Sequence, residues 1–252
     1  MWFFTADWHL NHSNIIKYCE RPFLSKEERE LIDLAKKGSI PLKSIRISQE
    51  SVQNMNDSII SATNNVVEAN DNLVIIGDFC WTSTPSKTIK DFRDKIKCQN
   101  LYLIWGNHDN RQTLKPFFKA TYDHYSFHIE GQHVFTSHYP CRSWYLAHYN
   151  SWMLYGHVHN KLWHQDNGLF TEEEDSKLKS YVSDLLTKTG ASYEPNHVDD
   201  FMNCLKSFFR KPALTLDVGV DNIRENISFG TPWSFNEVRS YMERKILNRE
   251  SF

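Results

Sequence analysis

The chain has 252 residues and a mass of 29.8 kDa, and 29 basic against 31 acidic side chains leave a formal charge of −2. That near-balance excludes a general electrostatic pull toward nucleic acid or anionic membrane. The composition of 40% apolar and 24% charged residues excludes disorder, and 9 Gly with 8 Pro exclude a collagen-like chain.

The length predicts one domain over residues 1–252, able to bury most of its unfolded surface without disulfides or a structural metal. No apolar run approaches the roughly 18 residues of a membrane span, so no membrane partner is expected. Residues 1–7 lack a basic stretch and meet an acid too early for a signal peptide, so a cytoplasmic location is expected. Cys19, Cys80, Cys98, Cys141 and Cys204 are scattered and form no C-x-x-C pair, which points to reduced thiols.

Residues 1–5 form a short aromatic run that predicts a buried strand ending before Asp7. Residues 26–37 predict a charged helix closed by Gly38. Residues 48–67 carry Val52, Met55, Ile59, Ile60 and Val66 near helical spacing. Two continuous apolar runs, 73–76 and 101–105, flank a helix-like segment at 86–97. Strand, helix, strand at this spacing predicts a crossover unit and a largely parallel core.

A hairpin follows, 125–129 and 133–137 about the turn Glu130-Gly131, and then strands at 151–155 and 213–220. Residues 233–246 predict a last helix, with Ser234 as N-cap and Glu237 as its capping-box partner. Residues 164–211 are more polar, hold two helical patterns and the acidic run Glu172 to Asp175, and read as an insertion on the rim. The acidic run itself reads as a solvated face.

The polar residues that follow each strand carry the chemistry. The first strand leads to Asp7-Trp8-His9, the second to Gly77-Asp78-Phe79 and the third to Gly106-Asn107-His108-Asp109. The hairpin ends in Ser137-His138, and the strand at 151–155 leads to Gly156-His157-Val158-His159. Strand carboxyl ends are where α/β folds gather their sites. In a strand-like D-x-H or H-x-H, alternation would aim both side chains at one ion. Seven donors, Asp7, His9, Asp78, Asn107, His138, His157 and His159, are too many for one ion and suit two that share a bridging carboxylate. Mixed nitrogen and oxygen donors favour Mn, Fe, Zn or Co over Mg or Ca, and Mn is the expected occupant, with Fe, Zn, Co or Ni the alternatives.

This ordered set, D-x-H, G-D, G-N-H-D, H and G-H-x-H, resembles the calcineurin-like metallophosphoesterases, and in particular a small bacterial and phage branch. The resemblance covers residues 1–160 and continues in 216–221 and 232–234; residues 14–23 are also similar to that branch. It implies an α/β fold, a four-layer α-β-β-α sandwich of two mixed β-sheets flanked by helices, in the cytoplasm of a bacterium or a phage-infected cell. Segments of about 25–47 and 164–211 depart from the short form and are candidates for a lid that selects substrate size.

By motif, the resemblance implies that Asp7, His9, Asp78 and His159 hold one divalent ion. Asp78 then bridges to a second ion held by Asn107, His138 and His157. His108 resembles the family's acid, protonating the leaving oxygen, with Asp109 orienting it. A hydroxide between the ions would attack phosphorus in line. Asn11 stands where the family often has Gly. His12 after it is a candidate for substrate phosphate or metal-bound water, or else a loop His bonded to backbone. Arg142 is the preferred guanidinium for phosphoryl oxygens, with Arg111 the other candidate and a surface ion pair the alternative. Trp8, Trp81, Trp105 and Trp144 stand beside the motifs. Core packing is the simpler reading for them, and stacking on a base the alternative.

The expectation is therefore a dinuclear hydrolase of phosphate esters, acting on a small phosphodiester or nucleotide. The alternatives are a nuclease and a non-catalytic binding module of the same fold. Nucleic acid is not favoured as a partner, because the densest basic run, Arg210-Lys211 after Lys206, is short. The sequence is silent on oligomeric state.

Overall fold

The computed structural model describes residues 1–167, 171–190, 195–209 and 212–250. They divide into two compact units, residues 1–160 with 216–238, and residues 161–215 with 239–252.

The first unit opens with β1 (Trp2–Thr5), α1 (Ser13–Tyr18), α2 (Lys26–Lys36) and α3 (Gln49–Val66). The crossover element follows as β2 (Asn72–Ile76), α4 (Ser86–Lys95) and β3 (Asn100–Ile104). Next come α5 (Arg111–Leu114), β4 (Ala120–Tyr122), β5 (His124–Ile129), β6 (Gln132–Ser137) and β7 (Trp152–Tyr155). The helix α3 forms because Val52, Met55, Ile59 and Thr63 recur on one face; all four are buried and the apolar three join the main core. The expected insertion at 25–47 is anchored in that same core by Ile32, Ile45 and Ile47.

The second unit holds α6 (Trp163–Asp166), α7 (Glu172–Lys188) and α8 (Pro195–Phe209). Its own core contains Val182, Val198 and Met202. The acidic run from Glu172 to Asp175 forms the first turn of α7, where carboxylates meet the positive end of the helix dipole, and Thr171 with Glu174 closes a capping box. Arg210 and Lys211 of the basic run lie outside the described residues.

The chain finishes with β8 (Thr215–Asp217), β9 (Trp233–Ser234) and α9 (Phe235–Glu250). Two of these ends differ from the expectation. The strand expected over 213–220 stops at Asp217, because its Oδ1 accepts the Gly219 N–H at 2.8 Å and turns the backbone. Trp233 and Ser234 pair antiparallel with Phe4 and Phe3, so the last helix begins at Phe235. Its expected cap is present: Ser234 Oγ accepts the Glu237 N–H at 3.2 Å, and Glu237 Oε2 accepts the Ser234 N–H at 2.7 Å.

The strands form two mixed sheets flanked by helices. One runs β4-β3-β2-β1-β9, the other β5-β6-β7-β8. The first is parallel from β4 to β1, with Thr5 opposite Ile75 and Ile76 opposite Ile104. That register brings the carboxyl ends of three strands to one edge, from which Asp7, Asp78 and Asn107 follow.

Candidate metal centre

The motifs do not continue the pleat of their strands. Asp7, His9, Asp78, His157 and His159 all have left-handed backbone, with φ of 56, 49, 56, 72 and 49°. This corrects the expectation of strand-like alternation. Left-handed conformations in non-glycine residues are costly and persist only where the surroundings enforce them. Here the enforcement is interlocking of the loops: Asp7 N–H donates to Gly77 O at 3.1 Å and His9 N–H to Asp78 O at 2.8 Å. Asn11, at φ 64°, occupies the left-handed position of a turn closed by His12 N–H to His9 O at 3.0 Å. Asn tolerates that conformation better than most residues, which accounts for its standing in place of Gly.

Asp78 lies at the centre. Its Oδ2 is 3.3 Å from His9 Nε2 and 3.4 Å from His138 Nε2, while its Oδ1 accepts the His108 N–H at 2.8 Å. On one side, donor atoms of Asp7, His9 and His159 lie within 4.8 Å of one another. On the other, Asn107 Oδ1 is 3.0 Å from both His138 Nε2 and His157 Nδ1. All seven residues singled out as ligands are therefore drawn into two donor groups that meet at one carboxylate. Two glycines make room: a Cβ on Gly77 would lie 2.1 Å from His138 Nδ1, and one on Gly106 would lie 2.2 Å from Asp78 Oδ1.

Hydrogen bonds behind the donors aim them. His138 Nδ1 donates to Ile76 O at 3.0 Å, and His159 Nδ1 to Asp221 Oδ2 at 2.7 Å, leaving each Nε2 for a ligand. Asp7 accepts the His157 N–H at 2.9 and 3.0 Å through its two oxygens. Asp217 Oδ2 accepts the Asn160 N–H at 2.7 Å and holds the loop that carries His159. Arg21, fully buried, donates to Asp7 O at 2.7 Å and Trp8 O at 2.9 Å, and grips Asp221. The sequence reading missed the roles of Arg21, Asp217 and Asp221. The signal available was their place in the outlying stretches, 14–23 and 216–221, that also carry the resemblance.

Protonation follows from this crowding. Burial would raise Asp78, but the hydrogen bond and charge of His138, with His9 and the His108 N–H, hold it down at about 2. Burial pushes the Asp7 carboxyl up. Burial opposes charge on His138 and His159 as well, yet Asp78 lifts the first to about 9 and Asp221 lifts the second to about 10. His9 goes the other way, to about 2, because burial outweighs its attraction to Asp78. Burial and the neighbouring His108 likewise lower His12 to about 4.

The remaining candidates differ in where they stand. The Asp109 carboxylate accepts the N–H groups of Gly106, Asp78 and Phe79 at 2.8, 3.0 and 2.9 Å. It thus clamps the second and third loops together. His108 itself is half-buried, with a ring nitrogen within 4.8 Å of donor atoms of His9 and Asp78. Arg111 is exposed, paired with Asp123 and set 5.4 Å over the Trp105 ring, so its guanidinium is already engaged. Arg142 is exposed in the loop after His138, and among the described residues no hydrogen bond or ion pair ties it to the donors. His12 is buried, stacked on Trp81 at 3.8 Å, with Nδ1 3.3 Å from His9 Nδ1. Trp8 and Trp105 pack in the core, as the simpler reading had it.

The residues present fit divalent cation binding. His9 Nε2 is buried and lacks a hydrogen-bond partner although two carboxylates face it, which is an unsatisfied arrangement without a positive charge between them.

Residues 3–203 match the sequence profile of the calcineurin-like phosphoesterases, and the chain belongs to that family. An uncharacterized protein of Methanocaldococcus jannaschii is 27% identical over 154 residues, 61% of this chain; the match spans 66% of that relative, just under two thirds of its length. The crystal structure of a protein of unknown function from Aquifex aeolicus shares the fold, with a TM-score of 0.52 and 16% identity over 96% of this chain and 98% of that one.

Proposed function

We propose that this protein hydrolyses phosphate esters with two divalent cations, Mn first among them, and that its substrate is a small phosphodiester or nucleotide. The observation that carries this reading is the position of Asp78 Oδ2, almost equidistant from His9 Nε2 and His138 Nε2 at the meeting of the two donor groups. Asp7, His9, Asp78 and His159 would hold one ion; Asp78, Asn107, His138 and His157 would hold the other. Divalent cations held by these residues would neutralise phosphoryl oxygens and acidify bound water.

The chain's own groups do the rest. Asn107 is exposed and His157 half-buried, so the second donor group faces the solvent from which substrate arrives. The His108 ring, beside Asp78 and His9, delivers its proton to the departing oxygen. The near-neutral charge suits a small anionic substrate better than a long nucleic acid. A cytoplasmic location belongs to the same reading.

The test is metal analysis of protein purified without chelators, joined to a panel of phosphomonoesters, diesters, cyclic nucleotides and dinucleotides with Mn. Close to two ions per chain and turnover lost in Asn107→Ala are expected. No bound ion, or full turnover in both Asn107→Ala and His157→Ala, would overturn the assignment. His108→Ala is expected to slow esters with poor leaving groups far more than activated aryl phosphates; equal losses would remove its role as acid.

A further inference from the structure

The structure assigns to His12 the task of fixing the tautomer and direction of the His9 ring, a positioning role that rests on the two-cation reading above. Its basis is one contact between like atoms: His12 Nδ1 lies 3.3 Å from His9 Nδ1, between two buried rings. A hydrogen bond between two ring nitrogens holds a single proton, so one Nδ1 donates and the other accepts.

The rest of the geometry decides which. His9 Nε2 is turned toward Asp78 Oδ2 at 3.3 Å and Asp7 Oδ1 at 4.0 Å, where it must offer a lone pair to a cation. The His9 proton therefore sits on Nδ1 and is donated to His12. His12 accepts at Nδ1 and carries its own proton on Nε2. Ligating imidazoles are commonly oriented by a carboxylate or carbonyl that accepts from the other nitrogen. Asp221 does this for His159 and Ile76 O does it for His138. His9 uses an imidazole instead.

Two features keep His12 in place. The turn closed by His12 N–H to His9 O brings the two rings together, with Asn11 N–H bonded to Asn56 Oδ1 at 3.0 Å. Trp81 stacks on the His12 ring, centroids 3.8 Å apart and planes 19° apart, and its backbone N–H donates to Leu10 O at 2.8 Å. The indole thus sets the imidazole plane, and the imidazole sets the ligand. Leu10 and Cys80 bridge the same two loops.

The experiment uses the full chain. Nitrogen-15 NMR of zinc-loaded wild-type protein is expected to place the His9 proton on Nδ1 and the His12 proton on Nε2. His12→Phe keeps a ring against Trp81 but removes the acceptor, and is expected to weaken binding of the first cation about 10- to 100-fold. His12→Asn, whose amide oxygen lies near the place of Nδ1, is expected to recover most of that loss. A His12 proton on Nδ1, or wild-type cation affinity in a folded His12→Phe, would overturn the assignment. If His12→Phe does not fold, the wild-type tautomers decide alone. Wild-type protein that binds no cation would overturn both this role and the two-cation reading. Two bound cations with an unaffected His12→Phe would overturn this role only.

Discussion

Arg21 and Asp221 are 200 positions apart and meet in a two-pronged ion pair, Nε to Oδ1 at 2.9 Å and Nη2 to Oδ2 at 2.8 Å. The pair is buried, and the same guanidinium holds the carbonyl groups of Asp7 and Trp8. It ties the first metal-site loop to the last.

Removing one partner of a buried ion pair strands the other charge and costs about 3–5 kcal/mol. Arg21→Met is expected to lower unfolding stability by that order. Arg21→Lys should recover only part of it, because an ammonium cannot reproduce the fork. Denaturant titration of metal-free protein checks both; an Arg21→Met variant as stable as wild type would refute the clamp.

Asp221 also accepts from His159 Nδ1. Asp221→Asn is expected to lower affinity for the first cation about 10- to 100-fold by weakening the aim and basicity of His159. Calorimetric titration with Mn checks this, and the second cation should be affected much less.

Gly77 and Gly131 have nearly the same backbone, φ 85 and 84°, but different neighbours. A Cβ at Gly77 would strike His138, while at Gly131 nothing lies within 4 Å. Gly131→Ala should cost only the left-handed strain, about 1–2 kcal/mol, with activity unchanged. Gly77→Ala should cost more and displace His138, with loss of the second cation. Thermal melts and metal counts on the two variants decide the matter.

The pH dependence of the metal-free protein follows from His138 and His159. Their folded values of about 9 and about 10 lie above the ordinary 6.5. Their contribution to stability is thus complete below about pH 6.5 and is lost as pH rises through 9 to 10. Tm of chelated protein should fall across that window. Cation binding requires the neutral rings, so affinity should rise with pH by up to about tenfold per unit for each proton displaced. A flat Tm from pH 6.5 to 10 would count against both shifts.

Much of the fold was legible because its signals are local. The stripe of Val52, Met55 and Ile59, the apolar runs of β2 and β3 and the Ser234–Glu237 box are each written in residues close together in sequence. One exception depends on a distant partner and the other on a local turn. Trp233 and Ser234 leave the helix for β1, and the expected strand at 213–220 breaks where Asp217 takes the Gly219 N–H.

The same division runs through the site. By itself the sequence singled out seven candidate donors and their order, because Asp, Asn and His at strand ends make a poor core and a good ligand set. Only the tertiary structure decided how they are aimed: left-handed loops in place of pleat, Asp109 spent on backbone N–H groups, Arg111 drawn off by Asp123. It also brought in Arg21, Asp217 and Asp221. The physical reason is that donor identity is a property of single residues. Orientation depends on which buried group accepts each proton, and those acceptors are contributed by chain far away in sequence.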